Sequence, residues 1–432
     1  MRRDISRVGR WTAALMLLAT TSAVPAAAQG VEDFFNGDVL HRIDLRINTR
    51  DWQALRTHYE DNTYYPCDLK WRGITVRNVG IRSRGLGSRN GTKPGLRVDI
   101  DRYASGQRFL GLKSFVLDNA WQDPSFLKEP VTMELFRRMG QPAPLEAFAQ
   151  LYINNAFAGV YVIVESIDKD FLSRNFGQND GVLFEYEYHM DWRFDWLGGD
   201  LQSYADIFLP KTHERDEPED LYGPIEAMVK RVNETSDSRF EETVGEYLDL
   251  EDVMSHVAIE NAMAQTDGFV GEWGMNNFYF YRFEDGVFSR FLVWDQDYAF
   301  GRTDHPIRYH LDQNVLTRRT MEINRYKTHY YNRLLDTANA MSEPAADLPE
   351  GTDPMSWFEW QVEKRYRLIS QSVASDPVKP TDMEAFEGAV SYLREFARLR
   401  PWVIRCEVAK EVRARDADEI CRPLEGPGQD DR

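Results

Sequence analysis

Residues 261–301 read NAMAQTDGFVGEWGMNNFYFYRFEDGVFSRFLVWDQDYAFG, and this stretch decides how the chain is read. Asp267 and Gly268 follow an apolar-periodic run over 248–265 that predicts a helix. The pair Asn276-Asn277 opens the aromatic strand Phe278-Tyr279-Phe280-Tyr281. Glu284-Asp285-Gly286 is a hairpin turn, and 287–293 returns as a second strand that ends in Trp294-Asp295-Gln296-Asp297. The order gathers carboxylates and a carboxamide around the open end of one hairpin. Phosphoryl transfer needs such a set: one acid for the incoming hydroxyl, and an Asn with a second acid to hold Mg2+ on nucleotide phosphates. Mg2+ takes oxygen ligands, few of them from protein. Asn277 and Asp295 with phosphate oxygens would suffice, and Asp297 extends the acid cluster. Plainer roles stand beside these: Asp267 as a turn residue ending a helix, Asp295 and Asp297 as turn acids after a strand. The ligand spacing of an EF-hand is missing.

Working outward, Arg82-Ser83-Arg84-Gly85-Leu86-Gly87-Ser88 joins two strands. Its Gly and Ser88 amides suit a phosphate cradle and Arg84 a clamp; a Gly-rich β-turn is the simpler alternative. Lys93 and Arg97 lie just downstream. The run GVYVIVE, 159–165, ends in Glu165 where the composition changes. It fits either a crossing strand that offers backbone groups to an adenine or a core strand with an exposed acid. Lys211, between Phe208-Leu209-Pro210 and an acidic run, either reaches a cleft or is a surface lysine. Residues 188–196 (YHMDWRFDW) fit a peptide or sugar platform, or a folded insertion. G-x-S-x-G is absent, and His305 and His310 lack H-E-x-x-H spacing.

The chain has 432 residues, enough for one large core or two lobes. With 42% hydrophobic residues and a mean hydropathy of −0.54, it does not read as an integral membrane protein. Arg2, Arg3, Arg7 and Arg10, an apolar run over 11–24 and Ala26-Ala27-Ala28 spell a signal peptide over 1–28. The expectation is export to a periplasmic or extracellular location, with no stable membrane insertion after cleavage. Loss of four Arg and one Asp takes the formal charge from −18 to about −21, which disfavours nucleic acid and anionic membranes. Export permits disulfides. Cys406 and Cys421 are near in sequence and expected to pair, leaving Cys67 odd. Strands are expected at 40–47, across 67–100, at 115–117, and as a hairpin over 148–153 and 160–164. Helices are expected at 125–139, 224–232, 248–265, 320–338, 356–373 and 380–413. The outline is α+β and two-lobed: a β-rich N-lobe over 29–165, a mostly helical C-lobe over 166–422 carrying the hairpin, and a disordered tail over 423–432.

The ordered set IRSRGLGS (81–88), DPSFLKEP (123–130), LYINNAFAGVYVIVESID (151–168) and Asp267…Asn277…WDQDYAFG resembles the spore-coat CotH kinase family, a secreted, atypical protein-kinase-like group. The likeness spans 81–301, about half of the chain. It implies a two-lobed protein-kinase-like fold, ATP and Mg2+ as cofactors, and phosphorylation of Ser or Thr on a protein substrate. By that resemblance Asp267 matches the catalytic Asp and Asp295 the metal Asp of a WDxD motif. Asn277, or the adjacent Asn276, matches the Asn before the hairpin. Arg84, Lys93 and Lys211 fall at basic positions of similar segments. Two departures stand out: 183–188 (LFEYEY) lacks the usual Lys, and the Asp-to-Asn spacing exceeds that of ordinary protein kinases. The expected set is thus Asp267 as catalytic residue, Arg84, Ser88, Lys93, Glu165 and Lys211 toward the nucleotide, and Asn277, Asp295 and Asp297 toward metal. Two other readings remain: adenylylation or glutamylation on the same scaffold, and a non-catalytic surface or coat-assembly module.

Overall fold

The computed structural model describes residues 29–188, 191–284 and 286–422. The expected signal peptide, the residue Asp285 of the hairpin turn and the expected tail lie outside these residues. The fold is α+β. Seven strands come first: β1 (Leu40–Ile47), β2 (Tyr65–Trp71), β3 (Ile74–Arg84), β4 (Gly95–Asp99), β5 (Ser114–Asp118), β6 (Glu146–Ile153) and β7 (Ala156–Glu165). They close into a barrel in the order β1-β2-β3-β4-β5-β7-β6. Neighbours are antiparallel except at the closing seam, where β1 runs parallel to β6 from Leu40↔Phe148 to Leu45↔Ile153. The sequence reading gave the strands as a meander; closure by a parallel pair about a hundred residues apart carries no local signal.

The two-residue period sorts side chains between two cores. Leu45, Trp71, Ile81, Val98, Leu117, Leu151 and Ile163 fill the barrel. Phe34 enters from the lead segment and meets Trp71, Phe109 and Phe115 edge-on, with ring centroids 4.9–5.5 Å apart. Val116, Phe148, Val160, Val162 and Val164 point the other way, into the core shared with the helices. Strands β5, β6 and β7 are therefore buried on both faces, which explains the unbroken apolar run of β7.

The helix Lys128–Arg138 crosses from barrel to helices. It begins later than the expected 125 because Asp123 builds a turn ahead of it. The Asp123 carboxylate accepts from Ser125 N (2.8 Å), Ser125 Oγ (2.6 Å) and Lys128 N (2.9 Å). Beyond β7, a four-stranded antiparallel sheet has the order β11-β10-β8-β9, from β8 (Val182–Tyr186), β9 (Phe208–Pro210), β10 (Phe278–Arg282) and β11 (Ser289–Val293). The helices Leu250–Ala262, Asn324–Ser342, Trp357–Ser375 and Met383–Glu411 pack behind it. The single helix expected at 320–338 is two, Val315–Glu322 and Asn324–Ser342, broken at Ile323 in an extended conformation. Cys406 and Cys421 form the expected disulfide and Cys67 is buried as a free thiol. Among the described residues no helix is long and apolar enough to cross a membrane.

One buried charge pair ties the barrel to the helices. Lys93 Nζ lies 3.0 Å from Asp376 Oδ2, and neither side chain is exposed. Asp376 also accepts from Val160 N (2.9 Å) and Val378 N (2.8 Å). Gly159 makes the approach possible: at φ +118, a Cβ there would sit 2.7 Å from the Asp376 carboxylate. A buried ion pair adds little net stability, but removing one partner leaves the other uncompensated. Asp376→Ala is expected to lower the unfolding free energy by about 3–5 kcal/mol. Asp376→Ala with Lys93→Met should recover a large part of it, as read from denaturant midpoints.

Candidate functional site

Asp267 is set by the end of a buried helix. Leu250–Ala262 starts on Asp249, whose side chain accepts from Glu251 N and Asp252 N, and runs with eleven buried residues. The chain leaves it through Ala264 at φ +52. The Asp267 amide then donates to Gln265 Oε1 (3.1 Å). Both Asn side chains at the mouth of the hairpin turn their amide nitrogens to this acid. Asn276 Nδ2 reaches the Asp267 carboxylate oxygens at 3.2 and 3.1 Å, and Asn277 Nδ2 reaches Oδ2 at 3.1 Å and the backbone oxygen at 2.7 Å. Burial pushes the Asp267 carboxyl above its usual range, against the two Asn hydrogen bonds.

Asp295 stands at the other end of the same hairpin. Trp294 N donates to Asn277 O (3.1 Å), holding the two strand ends together. Asn277 and Asp295 both adopt left-handed backbone, φ +59 and +44, a conformation uncommon outside Gly and concentrated at functional sites. Burial, then Asp118 and Asp267, push the Asp295 pKa up to about 6, with Arg84 pulling against them. Asp297 is raised well above the carboxylate range by burial, then by Asp295, Asp118 and Asp123.

The barrel faces these acids with Arg84, the last residue of β3. Its guanidinium lies 3.6 Å from Asp118 and 5.6 Å from the Trp294 ring centroid. Burial alone would lower its pKa; Asp118, Asp295, Tyr279 and Glu185 outweigh that and hold it above the ordinary value. Lys211 joins the same constellation through Glu185, at 2.5 Å. Burial would raise Glu185, but Lys211, Arg84 and Arg97 prevail and keep it low. Glu185 sits directly opposite Tyr279 across β8 and β10. Thus 183–188 supplies no Lys of its own, yet its Glu185 holds one. The structure brings together Asp267, Asn277 and its alternative Asn276, Asp295, Asp297, Arg84 and Lys211, and adds Asp118, Glu185 and Tyr279. Asp118 and Glu185 are lone acids on apolar strands; only their place at or near strand ends could have singled them out.

Two expected nucleotide contacts, Lys93 and Glu165, lie otherwise. Lys93 is spent on Asp376 and packs between the Phe126 and Tyr161 rings, 4.6 and 5.2 Å from their centroids. Glu165 accepts from Leu145 N (3.0 Å) and pairs with Arg174. Its strand is hydrogen-bonded on both sides, to β5 and β6, so β7 is a core strand, but its acid is buried and not exposed as the earlier alternative had it. Ser88 uses its backbone oxygen for Asn90 Nδ2 (3.0 Å) and Asn119 Nδ2 (3.1 Å), which fold the Gly-rich loop onto the barrel end. From beneath this loop Gln122 Nε2 donates to Tyr298 OH (3.1 Å), joining the barrel to the segment after Asp297. The segment 188–196, of which 189–190 lie outside the described residues, is a folded insertion: Trp192 and Phe194 are buried and stack together. His305 is buried too, and burial with Arg400 drives its pKa down to about 3.

Among the described residues no three His, Cys, Asp or Glu side chains are grouped to hold a metal by themselves. The donors at the site are oxygens, and Asp295 and Asp297 repel each other in a buried setting. That set fits a hard divalent cation completed by non-protein oxygens.

The CotH kinase protein family model matches residues 81–404. The chain belongs to this family. It is 24% identical over 366 residues to the inner spore coat protein H of Bacillus subtilis (strain 168), across 82% of this chain and 94% of that protein. A search of solved structures returned the Helicobacter pylori proinflammatory kinase CtkA at 9% identity. That match covers 74% of this chain and 95% of that one, with a TM-score of 0.27, too low to support an argument about this CotH chain.

Asp295 gives the site a pH signature. Its folded pKa of about 6 lies above the ordinary Asp value of 3.8, so the folded state holds the proton more tightly than the unfolded state. The resulting stabilisation is full below about pH 4 and lost as pH rises through about 6. In a chelator, Asp295→Asn should remove a fall of roughly 1–3 kcal/mol over this window, measured by urea denaturation at several pH values.

Proposed function

We propose that this chain is a Mg2+- and ATP-dependent kinase of a two-lobed, protein-kinase-like design, transferring the γ-phosphoryl group to a Ser or Thr hydroxyl of a protein substrate. The observation that carries the reading is the hairpin mouth. One acid, Asp267, is held by two carboxamides, and a second, Asp295, lies beside Asp297 and faces Arg84 from the barrel. In this reading the barrel is the N-lobe, the helical part is the C-lobe, and the nucleotide lies between Arg84 and the hairpin.

Asp267 orients the acceptor hydroxyl and takes its proton as the hydroxyl oxygen bonds to the γ-phosphorus; the bond to the β-γ bridging oxygen breaks and ADP leaves. Its raised pKa suits a proton acceptor. Asn277, Asp295 and Asp297 would hold Mg2+, which supplies charge neutralisation on the phosphates when bound. Arg84 clamps phosphate oxygens, and Glu185 aims Lys211 into the same space. Catalysis then comes from positioning and fixed charge. Export with the expected leader would place this chemistry outside the cytoplasm, and the spore-coat relative makes a coat or surface protein a fitting acceptor.

The test is intact-mass analysis of an acceptor protein after incubation with Mg2+ and ATP. Phosphate-sized additions are expected, with kcat lowered about 100-fold or more in Asp267→Asn and Asp295→Asn. Arg84→Met should raise the KM for ATP about tenfold. AMP- or glutamate-sized additions would keep the site and replace the reaction. Absence of both transfer and Mg2+-dependent ATP binding would overturn the enzyme reading in favour of a non-catalytic coat module.

A further inference from the structure

Beneath Asp267 lies a buried acid that the phosphotransfer scheme leaves unused. Glu260, 1% exposed, is in the last turn of the helix Leu250–Ala262. Its Oε2 accepts from Phe269 N at 2.8 Å, and its Oε1 lies 3.3 Å from His256 Nε2, one helical turn earlier. Its backbone oxygen accepts from Gln265 N (3.0 Å). The carboxylate thus bridges the helix end to the chain just beyond Asp267. Gly268 records how close this approach is, since a Cβ there would sit 2.6 Å from both carboxylate oxygens.

The grip extends to the hairpin. Gly268 O accepts from Gly271 N (3.0 Å) and Asn276 N (3.1 Å), so fixing Gly268 and Phe269 also fixes the residue whose side chain donates to Asp267. The Phe269 ring packs on Phe278 and Phe291, with centroids 5.7 and 4.8 Å away, and on His256 at 5.8 Å. His256 is held from its other side by Phe136 of the helix Lys128–Arg138, at 5.4 Å.

We propose that Glu260, steadied by His256, is a positioning residue for Asp267: it fixes the loop that aims the acid without touching substrate itself. The inference rests on the phosphotransfer reading. A hydrogen bond from a buried amide to a carboxylate is strong, and its loss leaves that amide unpaired. Misplacing a reacting group by an ångström is enough to cost about 100-fold in rate.

The experiment compares wild type, Glu260→Gln and Glu260→Ala of the full chain by steady-state kinetics and by amide hydrogen exchange over 265–270. Glu260→Ala is expected to lower kcat about 100-fold with the KM for ATP unchanged, and to speed exchange at Phe269 about tenfold or more. Glu260→Gln, which keeps an oxygen acceptor, should restore slow exchange and most of kcat. Normal kcat in Glu260→Ala, or exchange at Phe269 that stays slow, overturns the proposal. So does a Glu260→Gln variant that folds with a slow-exchanging Phe269 yet remains as inactive as Glu260→Ala. A wild type without phosphotransfer counts against the kinase reading instead, and the exchange data still show whether Glu260 orders the loop.

Discussion

A single buried guanidinium ties the two halves of the site together. Arg400 is fully buried and donates to four backbone oxygens: Asn261 (2.6 Å), Ala262 (2.9 Å), Thr303 (3.0 Å) and His305 (2.7 Å). The first two are at the end of the helix that launches Asp267, where peptide dipoles leave partial negative charge. The other two follow the segment that carries Asp295 and Asp297. Burial pulls the Arg400 pKa down to about 10. Two further bonds join the same strands of chain, Phe300 N to Met263 O (2.8 Å) and Gly301 N to Ala264 O (3.1 Å). The separation of the two acids is therefore set by packing behind them and not by the acids, which would repel.

The electrostatic layout follows from that constraint. Three carboxylates, Asp118 at the end of β5 and Asp295 and Asp297 in the segment after β11, are gathered near Arg84. Burial and neighbouring carboxylates raise the pKa of both Asp295 and Asp297, and an additional positive charge would oppose this. Lys211 is partly neutralised by Glu185, and Lys93 is neutralised by Asp376.

What the sequence disclosed and what it hid divide along the range of the interactions. The hairpin β10–β11 was legible because alternation, an Asn pair and a Gly turn are all local signals, and the same holds for the long C-terminal helices and for the Cys406–Cys421 pair. The clustering of Asp267, Asn277 and Asp295 was legible because one hairpin and the loop leading into it carry them. Lys93 was placed toward phosphate from its nearness to the Gly-rich loop; its partner is 283 residues away. Glu165 was placed toward the nucleotide from its position at the end of an apolar run, while its partner Arg174 lies on the next helix. Barrel closure between β1 and β6, and the inward turn of Asp118 and Glu185, are likewise products of long-range pairing that no local pattern announces.

The pairing of Lys93 with Asp376 has a consequence for how the molecule comes into being. A chain made from its N-terminus finishes all seven barrel strands long before residue 376 exists. During that interval an ammonium group destined for a dry interior has no counter-charge, and the Gly159–Val160 backbone it will meet has no acceptor. Arg400 imposes the same delay on the end of the helix below Asp267. A chain that stops short of residues 376 and 400 lacks the groups that satisfy these buried positions behind the barrel and the hairpin mouth.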